Sequence, residues 1–309
     1  MPAGTHQHAI DPRNESILIN INGTLHPREK AMVSVFDSGF ILGDGVWEGL
    51  RVHRGGIVFL EDHLRRLYEG AKGIDLDIGM TPRELTAAID ETLRANEMTD
   101  GVHIRLMVTR GTKSTPFQGK SANIGGPTIV IIPEYKEASP ELRTRGLKLF
   151  TVHVRRGRPD VQDPLLNTHS KLNCITACIQ AEKAGADEGL MLDPQGFVAT
   201  CNSTHFFIVR QDELWTSTGN YCLHGITRLN VIRLAKKHGI VVFEKNFSLA
   251  QVYGAEEAFC TGTFAGLMPV GTIDGRTIGT GQRGPLTERL QGLYDELIEH
   301  DILSNRGAA

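Results

Sequence analysis

Residues 102–109, Val-His-Ile-Arg-Leu-Met-Val-Thr, alternate without a break. Val102, Ile104, Leu106 and Val108 fall on one side of an extended chain, and His103, Arg105, Met107 and Thr109 on the other. A strand with one apolar face and one polar face belongs to an antiparallel sheet covered on a single side. That excludes an all-helical fold and sets a histidine and an arginine side by side on one face. Residues 17–26 alternate around Asn22-Gly23, which suits a hairpin with a two-residue type I′ turn. A meander is expected to continue through 31–37 and 47–60, where Val33, Val35, Val52, Ile57 and Phe59 recur in strand fashion.

Helical spacing takes over at 61–72, through Leu64, Leu67, Tyr68 and Ala71. A second helix is expected over 82–96, opened by a capping box of Thr81 and Glu84 around Pro82. Residues 127–133 form an apolar strand, and the polar, turn-rich stretch that follows has no apolar period. The expected division is a flexible tail at 1–14, a small domain at 15–134, a linker at 135–146 and a larger domain at 147–309. In the larger part, strands at 147–154, 188–193, 196–200, 204–209, 240–245, 256–261 and 267–273 mix with helices at 172–184, 226–238 and 284–302. Asp274-Gly275 marks a second hairpin turn. The fold class is α+β in both parts.

Composition narrows the function classes. A chain of 309 residues has room for about two domains of ordinary size. With 33 basic and 36 acidic side chains and no long basic run, it is poorly suited to a phosphate backbone, so no nucleic-acid partner is expected. No apolar stretch nears the roughly 18 residues of a membrane span, and residues 1–14 do not read as a signal peptide, so a cytoplasmic protein with no membrane partner is expected. Five cysteines without a CxxC pair fit reduced thiols. Cys174 and Cys178 sit four apart on a helix, but without further ligands nearby they read as small core residues, and no metal is expected.

The 34 glycines are about 11% of the chain, against an average near 7%, so their placement matters. GDGVWEG (43–49) has GxGxxxG spacing and runs into a strand, which rules out a dinucleotide loop. GxSxG, HExxH and GxxxxGK[ST] are absent. Two other turns suit a phosphate. LHGITR (223–228) enters a helix whose free N–H groups, with the Thr227 hydroxyl, make an anion site. Thr261-Gly262-Thr263 follows an apolar strand and adds hydroxyls and backbone N–H groups. Together they could wall one phosphate cup. A lysine able to hold a pyridoxal aldehyde must sit at a structured position, and Lys171, at the start of an otherwise apolar helix, meets that need.

These pieces jointly resemble a family. In chain order, GDGVWEGLRV (43–52), DHLRRL (62–67), HIRLMVTRG (103–111), SKLN (170–173), ADEGLMLDPQGFVATCNSTHFFIV (186–209), HGITR (224–228), CTGTFAGLMPV (260–270) and IDG (273–275) are similar to the class IV, fold-type IV pyridoxal-phosphate aminotransferases. That family includes the branched-chain and D-amino-acid aminotransferases and aminodeoxychorismate lyase, and the likeness runs from about residue 15 to 300. It implies a two-domain fold of the D-amino-acid aminotransferase type and a pyridoxal 5′-phosphate cofactor. By the same likeness, Arg66 binds the phosphate with Gly225, Ile226 and Thr227, while Gly262 and Thr263 complete the cup. Leu223 packs on the ring, and Lys171 forms the internal aldimine and shuttles the proton. Leu42, Trp47, His103, Arg105 and Phe264 line the substrate side, in a homodimer whose active sites are shared.

The implied activity moves an amino group between a branched-chain-like amino acid, or an amine, and a 2-oxo acid. Alternatives on the same scaffold are an (R)-amine or D-amino-acid transaminase, a lyase, and a non-catalytic cofactor-binding protein. The chain departs from the family pattern in places. Thr200 stands where the family has a glutamate on the pyridine nitrogen, and His205 where an asparagine is usual. A gapless alignment sets Asn167 on the family's lysine and Lys171 one helical turn later. Either the loop before the helix is about four residues shorter or the amine reaches in from the next turn, and both place it on the same helical face, since four residues are close to one turn.

Overall fold

The computed structural model describes residues 4–6 and 9–306 as two compact units. The smaller comprises residues 9–137 with 166–170 and 301–306; the larger comprises 138–165 and 171–300 with residues 4–6. The change of unit at 137/138 falls inside the segment 135–146. The two returns to the smaller unit have no counterpart in a linear division of the sequence. Within 1–14, Thr5 is buried, and the Asn14 side chain pairs with both backbone groups of Tyr135 at 2.9 and 2.8 Å. Residues 1–3 and 7–8 lie outside the described residues.

The smaller unit is a six-stranded antiparallel sheet. Its strands are β1 (Leu18–Ile21), β2 (Thr24–Pro27), β3 (Gly45–His53), β4 (Gly56–Ile57), β5 (Val102–Thr109) and β6 (Thr128–Tyr135), in the order β2-β1-β6-β5-β3-β4. The β1–β2 hairpin turns on Asn22 (φ 50°) and Gly23 (φ 83°), two left-handed residues as a type I′ turn demands. The alternation of β5 holds: its even-numbered residues are buried, and their neighbours to Met107 lie half-buried on the other face. Helices α1 (Ser38–Leu42), α2 (Leu60–Gly73) and α3 (Pro82–Ala95) complete the unit. The Thr81–Glu84 capping box starts α3, and Leu64, Leu67, Leu85 and Ile89 bring both long helices onto the apolar face of the sheet.

Residues 31–37 do not continue the meander. Met32, Val33, Val35 and Phe36 are exposed, and the segment makes only an isolated bridge between Asp37 and Thr112. β-branched residues favour a strand only where a neighbouring strand offers a surface to pack on, and none pairs with this stretch.

The larger unit holds a nine-stranded mixed sheet. Its strands are β7 (Leu147–Thr151), β8 (Glu188–Leu192), β9 (Val198–Cys201), β10 (His205–Arg210), β11 (Glu213–Thr216), β12 (Val242–Glu244), β13 (Glu257–Gly262), β14 (Gly266–Ile273) and β15 (Arg276–Thr277). Their order is β12-β11-β10-β13-β14-β7-β8-β9, with β15 paired to β14 across the Asp274-Gly275 turn. The sequence signalled neither β11 nor the parallel β11–β12 pair. Helices α4 (Leu172–Lys183), α5 (Ile226–Lys237), α6 (Leu249–Tyr253) and α7 (Pro285–Arg306) accompany the sheet, the end of α7 belonging to the smaller unit. Among the described residues no helix is long and apolar enough to cross a membrane.

Candidate active site

In the larger unit, α5 packs against β13, which brings the two phosphate-suited turns to neighbouring elements. Gly225 caps α5 in an extended conformation without a side-chain hydrogen bond. Among the described residues nothing accepts from the backbone N–H of Ile226 or Thr227. The Thr227 hydroxyl lies 3.2 Å from the Tyr294 hydroxyl. Beside α5, Thr261 is fully buried, and its hydroxyl has no hydrogen-bond partner among the described residues. A buried polar atom left unmatched costs about 1–3 kcal/mol. The open N–H groups at the start of the neighbouring α5 are the donors suited to a phosphate monoester.

Glycine at 225 is required by space. A Cβ there would lie 2.4 Å from Cε1 of His205, whose Nε2 hydrogen-bonds to the Leu223 carbonyl. His205 thus fills the space beneath the turn that presents Ile226 and Thr227. Thr200, buried on β9, donates its hydroxyl to the Thr204 carbonyl at 2.8 Å. Its proton is spent inside the turn, so toward a ring nitrogen the oxygen is left to act as an acceptor.

Underneath lies Glu188, which sequence reasoning missed. It is buried at the start of β8 and accepts from the Ser203 N–H (2.7 Å), the Ser203 hydroxyl (2.7 Å) and the Thr204 hydroxyl (2.9 Å). Burial raises its carboxyl above the usual range, and these hydrogen bonds only partly oppose the shift. A carboxylate inside the wholly buried strand Glu188–Leu192 was the available signal.

Lys171 is the residue from which α4 departs. It is half-buried, and its carbonyl accepts from Ile175 N–H at 2.9 Å. The segment before it is not helical. Trp47 N–H donates to the Asn167 carbonyl (3.0 Å), His169 N–H to the Gly45 carbonyl (2.9 Å) and the Asn167 amide to the Trp47 carbonyl (2.6 Å). Asn167 is buried in this pairing with β3. The shared-face argument for positions 167 and 171 is therefore corrected. Extended chain advances about 3.3 Å per residue, roughly 13 Å over four, against about 6 Å along a helix. Arg156, also missed, fixes the first turn of α4 through Asn173 (3.2 Å) and Cys174 (3.2 Å), and reaches the Tyr221 carbonyl (3.2 Å).

The smaller unit gathers the substrate-side candidates on one face of its sheet. Trp47 opposes Met107, Gly49 opposes Arg105, and Arg51 opposes His103. The Arg105 guanidinium lies 3.8 Å from the centroid of the Trp47 ring, a cation–π contact. A Cβ on Gly49 would sit 3.2 Å from His103 Nε2, so the glycine opens the space the imidazole occupies. Burial lowers the pKa of Arg105 from its ordinary value, although Glu134 and Glu48 oppose the shift. Leu42 ends α1, exposed, with left-handed Gly43 after it.

On the opposite face of β3 lies Glu48, a second buried carboxylate that sequence reasoning did not single out. Arg66 grips it with two hydrogen bonds, Nε at 2.8 Å and Nη2 at 2.6 Å, and His63 Nδ1 is 2.7 Å away. Burial alone would raise this carboxyl. The Arg66 charge and the hydrogen bonds from His63 and Arg66 overcome it and hold the value at about 2. Arg66, assigned to a phosphate by resemblance, thus presents two of its N–H groups to Glu48.

Known proteins resemble this chain in sequence and in fold. The family model described as amino-transferase class IV matches residues 45–273. Branched-chain-amino-acid aminotransferase-like protein 2 of Arabidopsis thaliana is 40% identical over 93% of this chain, and the chain spans only 51% of that relative's length. A putative branched-chain-amino-acid aminotransferase of Methanocaldococcus jannaschii is also 40% identical, over 90% of this chain and 96% of its own. The crystal structure of the branched-chain aminotransferase of Thermoproteus uzoniensis with norvaline superposes with a TM-score of 0.83 at 31% identity, covering 92% of this chain and 95% of that one. The fold is therefore the two-domain α+β type of fold-type IV, and the chain belongs to the class IV aminotransferase family.

Proposed function

We propose that this chain is a pyridoxal 5′-phosphate-dependent transaminase that moves an amino group between a branched-chain-like amino acid and a 2-oxo acid. The observation that carries this is the uncapped start of α5, where nothing among the described residues accepts from the Ile226 or Thr227 N–H. When bound, the cofactor supplies the electron sink for the exchange. Gly225, Ile226, Thr227, Gly262 and Thr263 hold its phosphate, Leu223 packs on the ring, and Thr200 meets the ring nitrogen. A hydroxyl cannot supply the counter-charge of a carboxylate, so the ring is a weaker sink here than beside a glutamate. Lys171 carries the proton to and from the substrate Cα. Arg66 is a further phosphate ligand, and Leu42, Trp47, His103, Arg105 and Phe264 contact substrate.

The same reading includes a cytoplasmic homodimer. The exposed apolar run Met32 (76%), Val35 (68%) and Phe40 (72%), close in sequence to Leu42, supports self-association, and five cysteines carried as thiols suit a reducing compartment. The test is a donor panel of L-leucine, L-glutamate, D-alanine and (R)-1-phenylethylamine with 2-oxoglutarate or pyruvate. Turnover of L-leucine is expected. Turnover of D-alanine or the (R)-amine without L-leucine removes the branched-chain assignment, and turnover of none removes the transaminase assignment.

A further inference from the structure

His205 begins β10, an inner strand of the larger sheet, and is paired there with Thr261 of β13. The residue before it, Thr204, receives the Thr200 hydroxyl on its carbonyl and donates its own hydroxyl to Glu188. The root of the His205 side chain is therefore fixed by a paired strand and by the turn that carries Thr200. From there the imidazole crosses to a second turn, where Nε2 donates to the Leu223 carbonyl. The same carbonyl accepts from the Gly225 N–H at 2.9 Å. Two donors on one oxygen use both of its lone pairs. A carbonyl can only accept, so Nε2 carries a proton whatever the state of the other ring nitrogen.

Gly225 shows that ring and turn are matched. Its φ of −64° and ψ of 135° suit any residue, so the backbone does not call for glycine there. Space does, because an added Cβ would lie 2.4 Å from Cε1 and 2.6 Å from Nδ1 of His205. One residue further on α5 begins, and the Gly225 carbonyl accepts its first rung from Leu229 N–H at 3.0 Å. A displaced ring would carry the Leu223 carbonyl and Gly225 with it, and so the open N–H groups of Ile226 and Thr227.

We propose that His205 is a positioning residue for an anion bound at the start of α5. Its part is to hold the turn. By bonding the Leu223 carbonyl and packing on Gly225, it sets the aim of the Ile226 and Thr227 N–H groups and couples their turn to the one carrying Thr200. That the anion is the phosphate of pyridoxal 5′-phosphate rests on the transaminase reading. A single hydrogen bond makes a modest net contribution, so its loss should weaken phosphate binding about three- to tenfold.

The test is equilibrium dialysis of the full chain against pyridoxal 5′-phosphate and against pyridoxal, which keeps the ring and aldehyde and lacks the phosphate. His205→Asn, too short to reach Leu223, should weaken the phosphorylated ligand about three- to tenfold and pyridoxal by less than about twofold. His205→Gln, whose amide extends to the place of Nε2, should keep wild-type affinity. The proposal is overturned by unchanged affinity in His205→Asn, by an equal loss for both ligands, by an equal loss in His205→Gln, or by a wild type to which the phosphate adds no affinity. Gly225→Ala should lower the thermal unfolding midpoint, and lower it less in the His205→Asn background, where the ring is gone. Equal lowering in both overturns the match of ring and glycine. A protein that gains affinity from the phosphate through His205 yet transfers no amino group loses the transaminase reading alone. An active transaminase whose phosphate affinity ignores His205→Asn loses only this inference.

Discussion

Glu48 in the smaller unit and Glu188 in the larger are both buried strand carboxylates, solved in opposite ways. Glu48 is answered by charge, with Arg66 and His63 against it, and its carboxyl is held at about 2. Glu188 is answered by hydroxyls and a backbone N–H, and burial keeps its carboxyl raised. Neutral donors orient a carboxylate but do not repay its desolvation as a full counter-charge does. The first arrangement fixes α2 against β3, and the second shapes the turn that carries Thr200.

Neutral isosteres sharpen the contrast. Glu48→Gln leaves Arg66 without its counter-charge and should cost about 3 kcal/mol in a denaturant titration near pH 7. Glu188→Gln keeps an acceptor and removes a penalised charge, so its cost should be about 1 kcal/mol or less. The pH dependence should separate them further. Glu48 titrates below its unfolded value of 4.5, so its contribution is present above that pH and lost as pH falls toward about 2. Glu188 titrates above 4.5, so its contribution is present below that value and lost as pH rises through its folded pKa. Glu48→Gln should therefore flatten the acid limb of the stability profile, and Glu188→Gln the limb above pH 4.5. Equal costs or matching profiles for the two variants would break the comparison.

A smaller effect is expected at Thr261. Replacing its unmatched hydroxyl with a methyl in Thr261→Val should change stability by less than about 1 kcal/mol, in the stabilising direction. The same variant should bind pyridoxal 5′-phosphate more weakly, as read by equilibrium dialysis. A stability loss with unchanged cofactor affinity would mark Thr261 as a packing residue only.

What could be read from the chain was local. The β5 alternation and the Thr81–Glu84 box depend on residues a few positions apart, and both stand in the fold. The turns at 223–227 and 261–263 were likewise visible as glycine and hydroxyl clusters at element ends. The carboxylate knots were not, because their partners come from separate elements: Glu48 meets α2, and Glu188 meets the turn after β9. The strand-like bridging of Asn167 and Thr168 to β3 depends on backbone pairing across some 120 residues, which no side-chain period encodes. Val33 and Val35 misled in the other direction, since β-branching signals a strand only where a partner is present.

The proposed chemistry meets its hardest test at Lys171, because Asn167 is locked to Trp47 and the next amine along the chain begins α4. The full-length protein should be loaded with pyridoxal 5′-phosphate, reduced with borohydride, digested and mapped by mass spectrometry. The expected result is a phosphopyridoxyl group on the peptide containing Lys171, lost in Lys171→Ala together with an absorbance band at about 400–430 nm. An unmodified Lys171 peptide, or a band that survives Lys171→Ala, would contradict the assignment.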